Sequence, residues 1–363
     1  MPLLRLFLNS QAYPAQDIIP RYLEALSEEL ILFEHTAVNT VYLGGGTPTQ
    51  LSPAELNSLL ASVRNRLRVA EDAEVTLEAN PEHLVKFQPE ILSSTGINRL
   101  SLGLQRRAPE MLKTLGRNEN SFQLWTDKYH DLRSTGISLS LDFIYGIPGD
   151  TVEKSVREIT EIIGSTPPDH FSLYLLEIKP GTVFQEKMNS GELKLPIDEI
   201  QAEIYHALRG LLASHGYQQY EISNFASPGH ESRHNLVYFN NGEYLGIGSG
   251  AFGRIDNLRY KNSSDLSRYL SCLQEGRRAM EFSETLDETL NARETLMMGL
   301  RKNEGVSLRV LSTIKDSQKE YVLERISYWN KMGVIVEDGE RIRLNPDYFF
   351  TSNEVIGDII DLN

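Results

Sequence analysis

Leu43-Gly44-Gly45-Gly46-Thr47-Pro48-Thr49 is the stretch around which the chain is organised. A β-type run at 39–43 leads into it, and a helix-type run at 52–67 leads out. The glycines therefore stand at the carboxyl end of a strand, where parallel α/β sheets bind ligands. Three absent Cβ atoms let backbone N–H groups approach a ligand, and Pro48 stiffens the exit. A lone Gly-Gly-Gly is more often just a tight strand-to-helix turn. The remainder of the chain decides between the two readings.

The sequence has 363 residues, 40% hydrophobic and 24% charged, an ordinary globular composition. A net charge of −14 argues against a general nucleic-acid binder, which needs a basic face. No apolar run approaches the roughly 18 residues of a membrane helix. Residues 1–10 lack the basic, apolar and small-residue order of a signal peptide. The single cysteine, Cys272, excludes an internal disulfide, points to the cytosol, and cannot by itself build a thiolate metal site.

Outward from the glycines, strand patterns alternate with helical ones. Strands are expected at 40–43, 74–77, 99–104, 138–144 and 171–176. Helices are expected at 18–33, 52–67, 89–94, 109–115, 121–135 and 151–165, the last capped by Thr151. This β-α-β-α order predicts an α/β fold with a parallel sheet and right-handed crossovers. Five or six units fall short of a closed eight-strand barrel, so an open or partial barrel is expected. Residues 1–10 have no clear role. A helix is expected at 197–215, strands and binding loops at 217–238 and 244–249, and a polar connector at 254–282. Helices then precede a hairpin centred on Asp338-Gly339, the order of a small winged-helix-like domain. That fold often binds DNA, but a fold does not fix a function and this segment is not basic. The expected division is 1–182, 183–282 and 283–363.

Polar residues at the ends of such strands read as ligand groups. Glu78-Ala79-Asn80-Pro81, Gln105, Asp142, Glu177 and Thr182 hold such positions, and Arg117 follows a helix end. An uncompensated Asp142 inside a strand would be costly. Taken singly, Glu78 and Asp142 could be structural ion-pair partners. With the glycine loop they describe an acidic, amide-lined mouth suited to an amino group, ribose hydroxyls and an adenine edge. No Gly-Lys-Ser/Thr is present for a triphosphate. A second group, Arg233-His234-Asn235-Leu236-Val237-Tyr238, precedes the glycine-rich 244–251. His234 could be an axial haem ligand, though spacing alone favours a satisfied core histidine.

These residues resemble a known family. The matching segments are Gly44-Gly-Gly-Thr-Pro-Thr49, Leu77-Glu-Ala-Asn-Pro81, Arg99-Leu-Ser-Leu-Gly-Leu-Gln105, Leu115-Gly-Arg117 and Leu141-Asp-Phe-Ile-Tyr-Gly-Ile-Pro-Gly149. Gly216-Tyr-Gln-Gln-Tyr-Glu221, His234-Asn235 and Tyr244-Leu-Gly-Ile-Gly248 continue the match. Together they resemble the HemW-type haem chaperones, in the coproporphyrinogen III oxidase-like branch of the radical S-adenosylmethionine (SAM) enzymes. The resemblance implies a partial (β/α)6 barrel and a helical, winged-helix-like C-terminal domain. It implies SAM at Gly45, Gly46, Thr47, Glu78, Gln105, Arg117, Asp142 and Glu177, and haem at His234, Asn235 and Tyr238, with His234 as iron ligand. It also implies delivery of haem to respiratory haem proteins at the membrane. The resemblance is compatible with a homodimer.

Two departures stand out. The family carries a Cys-x3-Cys-x2-Cys motif for a [4Fe–4S] cluster after its first strand, and this chain has no cysteine before Cys272. Phe252 stands where many relatives carry His. Without a cluster there is no electron path to SAM. Relatives read Cys-Pro-Tyr-Cys-Asp-Phe just before Asn9-Ser10. Residues 1–6 can be written ATG CCC CTA CTG CGA CTT. One base on, this reads TGC CCC TAC TGC GAC TT, that is Cys-Pro-Tyr-Cys-Asp and Phe or Leu. The hypothesis is that residues 1 to about 8 are a frame-shifted reading of the motif, through a frameshift in the gene or a wrong start, with the first family strand lost and a barrel edge exposed. The competing functions are an oxygen-independent coproporphyrinogen oxidase and a cluster-free binding protein or remnant.

Overall fold

The computed structural model describes residues 3–7 and 18–361. Its strands and helices begin β1 (Leu3–Phe7), α1 (Ile18–Ile31), β2 (Ala37–Gly44), α2 (Pro53–Arg66), β3 (Arg68–Ala79) and α3 (Pro89–Ser94). They continue with β4 (Arg99–Gln105), α4 (Pro109–Thr114), α5 (Ser121–Ser134), β5 (Ser138–Tyr145), α6 (Val152–Ser165) and β6 (His170–Leu175). β1 to β6 lie side by side and parallel, each followed by helix, which gives the six βα units. The sheet does not close, and the α/β partial barrel is the fold.

Beyond β6 come α7 (Val183–Asn189), α8 (Asp198–Ser214), β7 (Gln218–Gln219), β8 (Asn224–Ala226), α9 (Arg233–Phe239) and β9 (Tyr244–Ile247). Then follow β10 (Phe252–Ile255), β11 (Leu258–Asn262), α10 (Leu266–Gln274) and β12 (Met280–Thr285). All twelve of these strands form one sheet, ordered β12-β11-β10-β9-β1-β2-β3-β4-β5-β6-β8-β7. Strands on both sides of residue 182 thus share a sheet, and β12 crosses residue 282. The last segment holds α11 (Glu288–Gly299), β13 (Val306–Ser307), α12 (Asp316–Lys331), β14 (Ile335–Asp338), β15 (Arg341–Leu344) and α13 (Ser352–Ile360). Its sheet is β13-β15-β14, with the expected hairpin between β14 and β15.

Three local expectations change. The polar stretch 254–282 is not a connector but the end of β10, β11, α10 and the first half of β12, antiparallel strands joined by ion pairs such as Lys261–Glu281 at 2.8 Å. His234 lies on a helix rather than in a loop, because Ser232 caps α9. Leu3–Phe7 is a strand bonded in parallel to both β2 and β9, so the edge expected beside β2 is covered. Asn9-Ser10, the expected point just past the cluster motif, lies outside the described residues.

Local chemistry sets the helices. α2 begins with a capping box, Ser52 with Glu55, and Pro53 at its first position. α1 buries the stripe Tyr22, Ala25, Leu26, Glu29 and Leu30. The carboxylate in that stripe is fully buried. Glu29 accepts from Gly248 N at 2.8 Å, Asn262 Nδ2 at 2.6 Å and Tyr269 Oη at 2.6 Å. It thereby ties α1 to β9, β11 and α10. Burial pushes its pKa up to about 7 against these bonds. A raised folded pKa contributes stability that is complete below the unfolded value of 4.5 and lost as pH rises through about 7. Urea stability is expected to fall across that window, with a shallower fall in Glu29→Gln.

Candidate functional site

The carboxyl ends of β2 to β5 make the mouth. At β2 the glycines hold a carboxylate in place. A Cβ on Gly44 would lie 2.6 Å from Glu78 Cδ and Oε1, so only glycine leaves room for that side chain. Gly45 has φ 93°, and its N–H donates to Glu78 Oε2 at 3.0 Å. Tyr42 Oη donates to the other oxygen at 2.7 Å. Glu78 is thus gripped from two sides by the strand and turn that open the glycine stretch.

Opposite Glu78 stands Asp142 on β5. Burial first, then the charge of Glu78, raises its pKa to about 7, against hydrogen bonds from Ser172 and Ser101. Gln105 closes β4 with φ 67°, a left-handed conformation uncommon for a non-glycine residue and one that stores strain. Gly46, Thr47, Glu78, Gln105 and Asp142 line one cavity of about 180 Å3. Below it lies a second of about 190 Å3. Glu78, Ser101 and Asp142 form a common wall.

α9 closes the barrel interior below the mouth. Its N-terminal amides, Arg233 N and His234 N, donate to Glu74 on β3 at 3.0 and 2.9 Å. His234 is 1% exposed. Its Nδ1 lies 3.0 Å from Thr40 Oγ1 and its Nε2 3.1 Å from Tyr238 Oη. The ring stacks on Tyr42 at 4.7 Å between centroids. His234, Asn235 and Tyr238 all line the lower cavity.

The structure thus brings Gly46, Thr47, Glu78, Gln105 and Asp142 around one cavity, with Gly45 bonded to Glu78. It places the His-Asn-x-x-Tyr residues directly beneath. Arg117 and Glu177 are exposed and line neither cavity, and Glu177 pairs with Lys179 at 2.7 Å. Sequence reasoning missed Tyr42, Thr76, Arg99, Ser101, Ser140, His170 and Ser172, which line the lower cavity. Their signal was polar alternation along the strands, as in Arg99, Ser101, Gly103 and Gln105.

The residues fit the implied groups unequally. The carboxylate pair suits the cationic end of SAM, although the mouth cavity of about 180 Å3 is below the ~300 Å3 of small-molecule sites and holds only part of that ligand. Both ring nitrogens of His234 are engaged, and a cavity of about 190 Å3 is below the ~300 Å3 where small-molecule sites begin. A porphyrin macrocycle does not enter it. A [4Fe–4S] cluster needs several thiolates, and Cys272 is buried among apolar residues of α10. Among the described residues no group of three or more His, Cys, Asp or Glu is placed to hold a metal ion. The cluster does not fit the side chains described.

Six parallel βα units with a glycine-braced carboxylate at the mouth define a partial barrel of the radical SAM class. The Radical SAM superfamily model matches residues 10–161, and the HemN C-terminal domain model matches 286–347. The chain is 34% identical to "Heme chaperone HemW" of Lactococcus lactis, over 93% of this chain and 88% of the relative. It is 36% identical to the Bacillus subtilis protein of the same name, over 80% and 77%. The chain belongs to the HemW family. Its fold matches the coproporphyrinogen III oxidase HemN of Escherichia coli with a TM-score of 0.83 at 21% identity, covering 99% of this chain and 90% of that one. Among the described residues no helix is long and apolar enough to cross a membrane.

Proposed function

We propose that the chain handles haem for delivery to respiratory haem proteins, with SAM held in the carboxylate mouth. The observation that carries this reading is Glu78, braced by Gly45 and Tyr42 and faced by Asp142, set directly above the helix with His234, Asn235 and Tyr238. Glu78 and Asp142 would take the ammonium of SAM. Gly45, Gly46, Thr47 and Gln105 would take its hydroxyls and polar edges through backbone and amide groups. These residues would recognise the methionyl and adenosyl parts of SAM, and no radical step is assigned, since the described side chains offer no cluster ligands. The HemW names of the relatives support the haem half of the reading.

His234 Nε2 is the proposed iron ligand; since the cavity described excludes a porphyrin, ligation would require α9 to move away from the barrel and Tyr238 Oη to give up its 3.1 Å contact. Haem titration followed by absorption spectroscopy tests this. Wild type is expected to show a shifted Soret band, and His234→Ala is expected to lose it. Tyr238→Phe releases Nε2 from one hydrogen bond, so haem is expected to bind up to about tenfold more tightly. Equal spectra for wild type and His234→Ala would remove His234 from the role.

A further inference from the structure

The floor of the barrel carries a charge that no ion pair among the described residues neutralises. Arg99 opens β4 and is 4% exposed. Its Nη1 donates to the carbonyl of His230 at 2.9 Å. Among the described residues it enters no ion pair, although Asp142 is close enough to feel its charge. Buried guanidinium groups are costly unless an anion joins them. The side chain lines the lower cavity, and so does the hydroxyl-bearing Thr76. Thr76 is 1% exposed, and its Oγ1 has no hydrogen-bond partner among the described residues. Two unmet demands, one cationic and one for a hydrogen bond, therefore face one small space.

The side chain on the same wall nearest in kind to a cation, His170, adds no charge at this level. It bonds Ser140 Oγ and Tyr220 Oη, each at 2.8 Å. Burial, with the charges of Arg99 and His230, drives its pKa well below the usual 6.5, so the ring is neutral. Asp142 and Glu78 also line this cavity, at the end it shares with the upper one. The backbone of Asp142 stands four residues above Ser138, the partner of Arg99 in the sheet, which is ~13 Å along a strand. Glu78 and Asp142 thus lie above the guanidinium, and Glu74, held by the first amides of α9, lies two residues below its register partner Thr76.

We propose that the lower cavity is a carboxylate site in which an alkyl carboxylate pairs with Arg99 and accepts from the Thr76 hydroxyl. The volume of about 190 Å3 admits a short acid or a single acidic arm. The arm has two sources, a free short-chain carboxylate or a propionate side chain of haem. The second rests on the haem reading above and the first does not.

The test uses propionate ion as the probe for the site, and haem beside haem dimethyl ester as the probe for the source. Propionate is titrated into wild type, Arg99→Gln and Thr76→Val, followed by saturable chemical-shift changes. Haem and its ester are titrated by Soret absorbance. Wild type is expected to bind propionate saturably, Arg99→Gln at least tenfold more weakly, and Thr76→Val a few-fold more weakly with the charge retained. If haem is the source, it binds wild type at least tenfold more tightly than its ester, and Arg99→Gln erases the difference. Arg99-dependent propionate binding without that difference assigns the site to a free acid. The same result with no haem binding at all upholds the site and overturns the haem reading. Absence of saturable propionate binding, or equal binding by both variants and wild type, overturns the site whether or not haem binds. Should Arg99→Gln fail to fold, Thr76→Val decides.

Discussion

Arg106→Met is expected to lower the unfolding free energy by about 3–5 kcal/mol, the cost of breaking a buried pair and stranding its partners. Arg106 directly follows β4 and is fully buried. Its guanidinium lies between Asp150, at 2.8 Å, and Glu158, and rests on the Phe143 ring at 4.7 Å. Both carboxylates also accept from the backbone. Glu158 takes Arg107 N at 2.7 Å and Ala108 N at 2.9 Å, and Asp150 takes Gly146 N at 2.9 Å. The network fastens the ends of β4 and β5 to α6, directly behind Gln105 and Asp142. Methionine would fill much of the space yet leave two buried acids without a cation. Urea denaturation checks the value, and a loss under about 1 kcal/mol would contradict the argument. Adding Glu158→Gln to Arg106→Met should recover part of the loss.

The second large effect is a pH dependence of SAM affinity. The pKa of Asp142 stands at about 7 in the folded chain. A cationic ligand favours the ionised acid, so binding must release the proton that Asp142 holds below that value. Affinity is therefore expected to rise with pH up to about 7 and then level off, by about tenfold per unit at the steepest. Asp142→Asn should flatten the profile and weaken binding at pH 8. Calorimetric titration between pH 6 and pH 8 measures both, and a flat profile in wild type would remove Asp142 from the ligand's surroundings.

Much of the barrel was legible because its local signals agree. The helix expected at 52–67 is Pro53–Arg66, with Ser52 and Pro53 marking its start. The strand expected at 40–43 extends to Ala37–Gly44, since burial continues through Val38. What failed depends on distant partners. α9 is only seven residues long, and its first amides are satisfied by Glu74, about 160 residues away. β10 to β12 looked like connector because their charges pair across strands, which composition does not show. β9 joins β1 in parallel from the far end of the sequence.

Two signals in the sequence went unread. Glu29 and Glu158 both fall on the apolar stripe of a helix, at Tyr22, Ala25, Leu26, Glu29, Leu30 and at Ser155, Glu158, Ile159, Ile162. A carboxylate in such a stripe is a buried anchor in search of donors, and both have them. The site was read from strand ends alone. The alternation Arg99-x-Ser101-x-Gly103-x-Gln105 already marked a polar barrel interior, and with it the lower cavity.

The central claim is that the glycine turn exists to hold Glu78 where a cationic adenosyl ligand binds. Calorimetric titration of SAM into wild type and Glu78→Gln at pH 7.5, with matched thermal melts, tests it most directly. Saturable binding by wild type and a loss of roughly ten- to a hundredfold in Glu78→Gln is the predicted result, as for removal of a charged hydrogen-bond partner. Equal affinities in the two proteins, or no binding by a folded wild type, would contradict it.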